Sequence, residues 1–291
     1  MAGTSPTVRQ RELGKRLREL RNQHGLTVED VAEKLLCSAT KISRLETGAR
    51  RPSLRDVRDL CTLYGVDDPT SADLMTLARE AREQGWWTHY EDFNLSPYIG
   101  LEQVATAITC YAMNYMPALL QTAEYAQAVI NAIAPQTDLD IRRQRVEVWL
   151  RRQQVFEQDE RPRYRVLLDE AVLYRRIGGP EVMADQLENV LTAERDSRAT
   201  VQVIPFDLVT HAAQDSNFVL LEFGDESNLS PVVFIEGLTG NQYLERTADI
   251  ARYREAVDSL RDSALSPRDS IQLIHERQEF YRTELGPAAR D

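Results

Sequence analysis

From Arg9 to Gln23 the apolar positions are Leu13, Leu17 and Leu20, four and three apart, which predicts one stripe of an amphipathic helix. His24-Gly25 closes it, glycine being suited to the left-handed position past a helix end. Thr27 is placed to cap a second helix, with Asp30 three residues on in an approximate capping box and Val28, Val31, Ala32 and Leu35 on its apolar face. Ser38 caps a third helix running to about Glu46, with Ile42 and Leu45 inward and Gly48 as its stop. Ser53 caps a fourth carrying Leu54, Val57, Leu60, Cys61 and Tyr64, ended by Gly65. Four short capped helices within residues 9–66 predict a compact all-α domain. The second and third have helix-turn-helix spacing.

Asp67-Asp68-Pro69-Thr70-Ser71 interrupts this pattern, and a further helix is expected from Ala72 to about Gln84 with Leu74, Met75, Leu77 and Ala78 on one side. Gly85 then precedes Trp86-Trp87. Paired tryptophans in such a place are more often packing anchors than a pocket wall or a subunit contact. Beyond residue 88 the period becomes mixed. RYRVLLDE (163–170), VQVIPF (201–206), NFVLLEF (217–223) and PVVFIE (231–236) read as short strands. Residues 122–134, 139–157, 180–191, 244–260 and 266–285 read as helices. The expectation is therefore a multidomain chain. It has an all-α helix-turn-helix domain (1–66), a helical linker (67–87) and an α+β domain (88–291) with a small, mostly antiparallel sheet.

Composition narrows the partners. No apolar run approaches the roughly 20 residues needed to span a bilayer, and MAGTSPTVRQRELG has no apolar core of the signal-peptide type. Both point to the cytoplasm, with no membrane partner. Cys37, Cys61 and Cys110 are odd in number and far apart, so they are expected reduced, with no disulfide framework and no metal site. The formal net charge is −11, but it is unevenly spread. Residues 1–66 hold 13 basic and 8 acidic residues, a balance of +5, and the remainder carries −16. A basic module is joined to an acidic one, so the net charge describes the partner of neither.

The stretch LRELRNQHGLTVEDVAEKLLCSATKISRLETGARRPSLRDVRDLCTLYGV, with its G-L-T entry, S-x-x-x-I-S-R-x-E-x-G core and trailing R-x-P-S, resembles the phage-repressor-type helix-turn-helix of the XRE family. The resemblance implies double-stranded DNA as partner, with the third helix in the major groove. Ala39, Thr40, Lys41, Ser43 and Arg44 would then reach base edges: Arg44 bidentate to guanine, Lys41 to guanine or phosphate, Ala39 or the Thr40 methyl to a thymine methyl. Arg50 and Arg51 suit phosphates, and Thr27 and Ser38 at helix N-termini add further phosphate donors. The family pairs an arginine ending the first helix with a glutamate ending the third; the matching residues, Arg21 and Glu46, are given a structural role. Many members have glutamine where this chain has Val28, which implies one missing phosphate clamp. Lys41 and Arg44 would be plain solvated charges without the motif around them, and Arg50 and Arg51 a plain basic loop.

MPALLQTAEYAQAVI resembles the P-G-L-L-Q-T-x-x-Y-A signature of a C-terminal domain of unknown function found on XRE regulators of Streptomyces and other actinobacteria, the WhiJ type. RVLLDEAVLYRRIGG, MADQL, VQVIPF and NFVLLEF match further blocks, and Ala118 stands where the family has glycine. Genes of this type often neighbour one for a small acidic protein, and some pairs are antitoxin-like. An enzyme is not expected: GxSxG, HExxH, GxxxxGK[ST] and GxGxxG are all missing, and the four histidines are unpaired at ligand spacing. No cofactor is expected either. Asp159-Glu160 and Asp169-Glu170 read as solvated acids at element ends, and His211, near Asp215, as a loop histidine. Tyr98, Tyr111, Tyr115, Trp149 and Tyr164 read as core more often than as pocket walls.

The resulting expectation is a transcription regulator that binds a pseudo-palindromic operator as a homodimer and is controlled through residues 88–291. The alternative is an interaction protein whose acidic domain docks a small acidic partner, with DNA binding as readout. Nothing in the sequence separates a small-molecule effector from a protein partner.

Overall fold

The computed structural model describes residues 5–83, 85–89, 96–158, 160–208, 211, 213–224, 227 and 229–285. Two compact units emerge, one from the residues up to Val104 and the other from Ala105 onward, apart from a short stretch around Ser227 that joins the first. Asp159 lies outside the described residues, as does the side chain of His89.

The first unit is helical: α1 (Pro6–Gln23), α2 (Val28–Lys34), α3 (Ala39–Glu46), α4 (Leu54–Leu63), α5 (Asp68–Glu80), a 3-10 turn at Trp86–His89 and α6 (Ser96–Glu102). The predicted caps set its boundaries. Thr27 Oγ1 accepts from the Asp30 N–H at 3.1 Å while Asp30 Oδ2 accepts from the Thr27 N–H at 2.8 Å, a reciprocal box that starts α2. Ser38 and Ser53 accept from the N–H groups three residues on and start α3 and α4. Gly25, Gly48 and Gly65 take the left-handed conformation at the helix ends. The acidic stretch expected to break the pattern instead begins a helix. Asp67 accepts from the Thr70 N–H, and Pro69 falls in the first turn, where its missing N–H costs nothing. Leu13, Leu17, Val31, Ile42, Leu45, Val57, Leu60, Leu74 and Leu77 form one core, so α5 packs with the four helices before it. Trp87 is buried and meets Trp86 edge to face at 5.7 Å.

One residue in this unit conflicts with its own backbone. Leu36, in the turn between α2 and α3, has φ 50° and is 95 % exposed. A side chain there gains no packing, and a left-handed non-glycine residue costs roughly 1–2 kcal/mol. Leu36→Gly loses part of that gain to unfolded-state entropy, so we expect a net stabilisation of about 0.5–1 kcal/mol. In a domain of this size that is a rise of about 3–5 °C in the thermal midpoint. A fall in the midpoint by calorimetry would show that the Leu36 side chain has a stabilising role.

The second unit is α+β. Its elements are β1 (Ala107–Ala112), α7 (Ala123–Ile133), α8 (Leu139–Arg152), β2 (Arg163–Asp169), α9 (Pro180–Arg195), β3 (Thr200–Ile204), β4 (Phe218–Glu222), β5 (Val232–Gly237), β6 (Gly240–Leu244), α10 (Thr247–Ser263) and α11 (Pro267–Glu284). The six strands form one sheet in the order β3-β2-β1-β4-β5-β6. Here the expectation of a small, mostly antiparallel sheet is corrected. β1, β2 and β3 are mutually parallel, β4, β5 and β6 add antiparallel strands, and the sheet is mixed. Parallel neighbours require crossovers of a dozen or more residues, and α7, α8 and α9 lie in those crossovers. β1 is buried along its whole length in mid-sheet and so shows no polar alternation.

α10 covers one face of the sheet, its Ile250, Val257 and Leu260 packing on Tyr111, Leu167, Phe218 and Val233. The block around MPALLQT is a structural knot. Its 3-10 turn (Ala118–Leu120) accommodates Ala118, and the Leu120 carbonyl accepts from Gln186 Nε2 at 2.6 Å and Asn189 Nδ2 at 2.8 Å. Gln186 Oε1 in turn accepts from the Thr122 N–H at 2.9 Å, and Thr122 caps α7. Tyr98, Tyr111, Trp149 and Tyr164 are core residues. Burial pushes the Tyr115 phenol up to about 12.

Candidate nucleic-acid interface

α3 has two faces. Ile42, Leu45 and Glu46 are buried, while Thr40, Ser43 and Arg44 are exposed at helical spacing. Ala39 is half-buried against the core, and Ser38 and Thr27 are both occupied as caps. Arg50 and Arg51 are exposed just past the helix. The loop carrying them is held from two sides: the Arg50 N–H donates to the Arg44 carbonyl at 2.9 Å, and Gln10 Nε2 donates to the Gly48 carbonyl at 2.7 Å. At Gly48, with φ 67°, an added Cβ would sit 2.9 Å from the Arg11 side chain, so glycine is required both for the turn and for the approach of α1.

The back of α3 is anchored by Arg21 and Glu46. Arg21 Nε and Nη2 donate to Glu46 Oε1 and Oε2 at 2.7 and 2.9 Å, and Nη1 donates to the Leu26 carbonyl at 2.8 Å. Both side chains are buried, and the bond to Glu46 outweighs burial and holds the Arg21 guanidinium above its ordinary range. This fork ties the end of α1 to the end of α3 and fixes the rotation of α3 about its axis. Burial also pushes the neighbouring Tyr64 phenol up.

Lys41, expected to reach guanine or phosphate, has a partner that the sequence did not reveal. Its Nζ donates to Asp56 Oδ1, on α4, at 2.5 Å, and the ammonium is half-buried. Burial pushes the Asp56 carboxyl up, but the hydrogen bonds from Lys41 and Ser53 outweigh it and the net shift is downward. Lys41 is therefore a held charge, whereas the exposed Arg44 makes one long bond, its Nη2 donating to the Ala49 carbonyl at 3.5 Å. No sequence pattern marks a partner fifteen residues away on another helix.

Residues of the second unit singled out from sequence have structural partners. Asp169 Oδ1 accepts from the Ala171 N–H and Glu170 Oε2 from the Phe206 N–H, both at 2.8 Å. His211 Nε2 is 3.0 Å from the Tyr111 hydroxyl, and its Nδ1 faces the Ala213 N–H at 3.3 Å. Among the described residues no group of three or more His, Cys, Asp and Glu is placed to hold a metal, and no helix is long and apolar enough to cross a membrane. Cys37, Cys61 and Cys110 are free thiols.

An amphipathic, side-anchored α3 presented behind a capped α2 defines a helix-turn-helix protein with a second, α+β domain. Residues 12–74 match the helix-turn-helix domain model, and residues 95–276 match a domain of unknown function, DUF5753. The chain belongs to this DUF5753 family. It is also similar to the HTH-type transcriptional regulator DdrOP3 of Deinococcus deserti, 40% identical over 55 residues, which cover 19% of this chain and 43% of that protein. The chain thus spans less than half the length of that relative. No solved structure matches it.

Proposed function

We propose that this chain is a DNA-binding transcription regulator. It binds a pseudo-palindromic operator as a homodimer in the cytoplasm and is controlled through residues 88–291. The reading rests above all on the exposed stripe of α3, Thr40, Ser43 and Arg44, held outward by the Arg21–Glu46 fork. The printed name of the Deinococcus relative, a transcriptional regulator, supports it. Thr40, Ser43 and Arg44 read base edges, Lys41 and the methyl of Ala39 border them, and Arg50 and Arg51 hold phosphates. The N-termini of α2 and α3, at Thr27 and Ser38, add backbone donors to phosphates. A single module makes few base contacts, so two copies on half-sites about 34 Å apart are needed for specificity. On this reading the chain acts by binding.

The test is an equilibrium titration on operators selected from random duplexes. A dyad-symmetric motif bound by two chains is expected; selection of no motif sinks the reading.

Asp56 modulates this surface. It places a carboxylate beside Lys41, facing the same ligand. An acid about 7 Å from a phosphate costs, in water, on the order of 0.6 kcal/mol, and Asp56→Asn removes such an acid. Affinity is expected to rise about three-fold, more at low salt than at high. Weaker binding in the titration would mean that the ion pair positions Lys41 for contact.

A second reading, docking of a small acidic protein, is favoured by an exposed aromatic cluster. Tyr174 and Phe206 meet at 5.4 Å, and the Arg277 guanidinium lies 3.9 Å from the Tyr174 ring centroid and 4.4 Å from that of Phe280. Tyr and Arg dominate binding hot spots. Co-purification with the product of an adjacent gene separates the two readings.

A further inference from the structure

The residues beyond 66 carry −16 in all, yet the second unit gathers guanidinium groups around one cavity of about 360 Å³. Arg161, Arg163, Arg165 and Arg198 line it, with Thr109 and Thr200. The register explains the grouping. β1, β2 and β3 run parallel, so their N-terminal ends lie side by side. Thr109 pairs with Arg165, and Arg165 with Thr200, placing one cationic and two hydroxyl side chains in a row on the face that α10 covers farther along. Arg163 precedes Arg165 by two residues and shares that face.

The cations outnumber the acids that face them, Glu222 on the lining and Asp258 from α10. Among the described residues no carboxylate lies within ion-pair distance of Arg161, Arg163 or Arg165. Among the described residues the Arg198 guanidinium meets one carboxylate, that of Asp196 at 3.5 Å, and its Nε is enclosed without a hydrogen-bond partner. Among the described residues Glu222 is the one acid on the lining, and its Oε1 already accepts twice from Arg254, at 2.6 and 3.2 Å. Burial lowers the proton affinity of Arg165, and the charges of Arg261 and Arg163 lower it further, against a smaller opposing pull from Asp258 and Glu222. A strand end that crowds like charges in a partly enclosed space is electrostatically unfavourable by itself. A bound multivalent anion removes the conflict.

We propose that this cavity binds a small phosphate-bearing molecule, held by the guanidinium forks of Arg163 and Arg165 with Arg161 and Arg198 at the rim. Planar forks match oxyanions bidentately, and several converging forks need more acceptor oxygens than one carboxylate has. The volume is at the lower end of small-molecule sites, which suits a sugar phosphate or a mononucleotide and not a larger cofactor. The proposal deepens the receiver reading of residues 88–291, on which its regulatory meaning rests, but binding itself needs no DNA.

The experiment is calorimetric titration of the full chain, without DNA, with pyrophosphate and separately with citrate, at fixed ionic strength. Pyrophosphate is expected to bind and to raise the thermal midpoint, with citrate at least ten-fold weaker. Arg163→Gln/Arg165→Gln is expected to weaken pyrophosphate at least ten-fold. Without anion, its thermal midpoint should equal or exceed that of the parent, because the repulsion has gone. Arg165→Lys, which keeps the charge and loses the fork, should fall between and serves if the double variant does not fold. No pyrophosphate binding by the parent, equal binding by the variants, or tighter binding of citrate overturns the proposal. So does loss of the signal in Lys41→Ala/Arg44→Ala, which would place the anion on the helix-turn-helix. A chain that binds pyrophosphate at these arginines but selects no operator would overturn the DNA reading alone.

Discussion

Glu46→Ala is expected to cost the helix-turn-helix bundle about 3–5 kcal/mol, the penalty for removing one partner of a buried ion pair. The Arg21 guanidinium would keep one bond, to the Leu26 carbonyl, and lose two to a carboxylate that is itself almost fully enclosed. The left-over charge has little water to turn to. A small domain has only 5–15 kcal/mol in total, at roughly the lower end for its size, so the variant unit should be partly unfolded at 37 °C. Chemical denaturation followed by far-UV circular dichroism reads this as an early transition. Arg21→Met/Glu46→Leu, which removes both charges and keeps the volume, should recover most of the loss. A cost below 1 kcal/mol for Glu46→Ala would mean that water reaches the pair, and that it does not set the angle of α3.

The second large effect concerns the outer side of the same helix. In Lys41→Ala/Arg44→Ala, operator affinity is expected to fall about 100- to 1000-fold, from one bidentate base contact worth about 1–3 kcal/mol and a phosphate contact beside it. Most of the loss should belong to Arg44. Its side chain is exposed and held by one long bond to the Ala49 carbonyl, whereas Lys41 must leave Asp56 to reach DNA and regains part of what it gives up. Arg44→Lys should rescue poorly, because an ammonium cannot make the two parallel bonds of a guanidinium. Lys41→Ala should lower the slope of log affinity against log salt by about one if it meets a phosphate. Stability should fall by only about 1 kcal/mol, the cost of leaving the partly enclosed Asp56 carboxylate without Lys41, while Arg44 contributes little to it. Unchanged operator affinity in the double variant would remove α3 as the reading helix.

How much of this was legible beforehand depends on the range of the interaction. Caps at Thr27, Ser38 and Ser53 act on N–H groups three residues away, so the residues that set each boundary are neighbours in the sequence and could be read there. Leu13, Leu17 and Ile42 were legible for the same reason: a 3.6-residue period puts one face inward whatever it packs against. The start of α5 was misjudged because Pro69 reads as a breaker until Asp67 is seen to cap in front of it. β1 escaped because a strand buried on both faces has no alternation, and β6, GNQYL, because an edge strand needs little apolar content. With β1 missing, the parallel half of the sheet could not be foreseen, although a helix between two strands, as in β2-α9-β3, was itself a sign of a crossover.

The sequence by itself determined much of the local structure: the four capped helices α1 to α4 and their turns, and that a basic module precedes an acidic one. Tertiary structure alone decided which distant charges meet. It placed Lys41 on Asp56, and it brought Thr109, Arg163, Arg165 and Arg198 to one cavity by laying three parallel strand ends side by side. The physical reason is the same in both cases. Propensity and capping act over a single turn of chain, whereas the field at a charged group is set by whatever the fold brings within a few ångströms, at any separation in sequence.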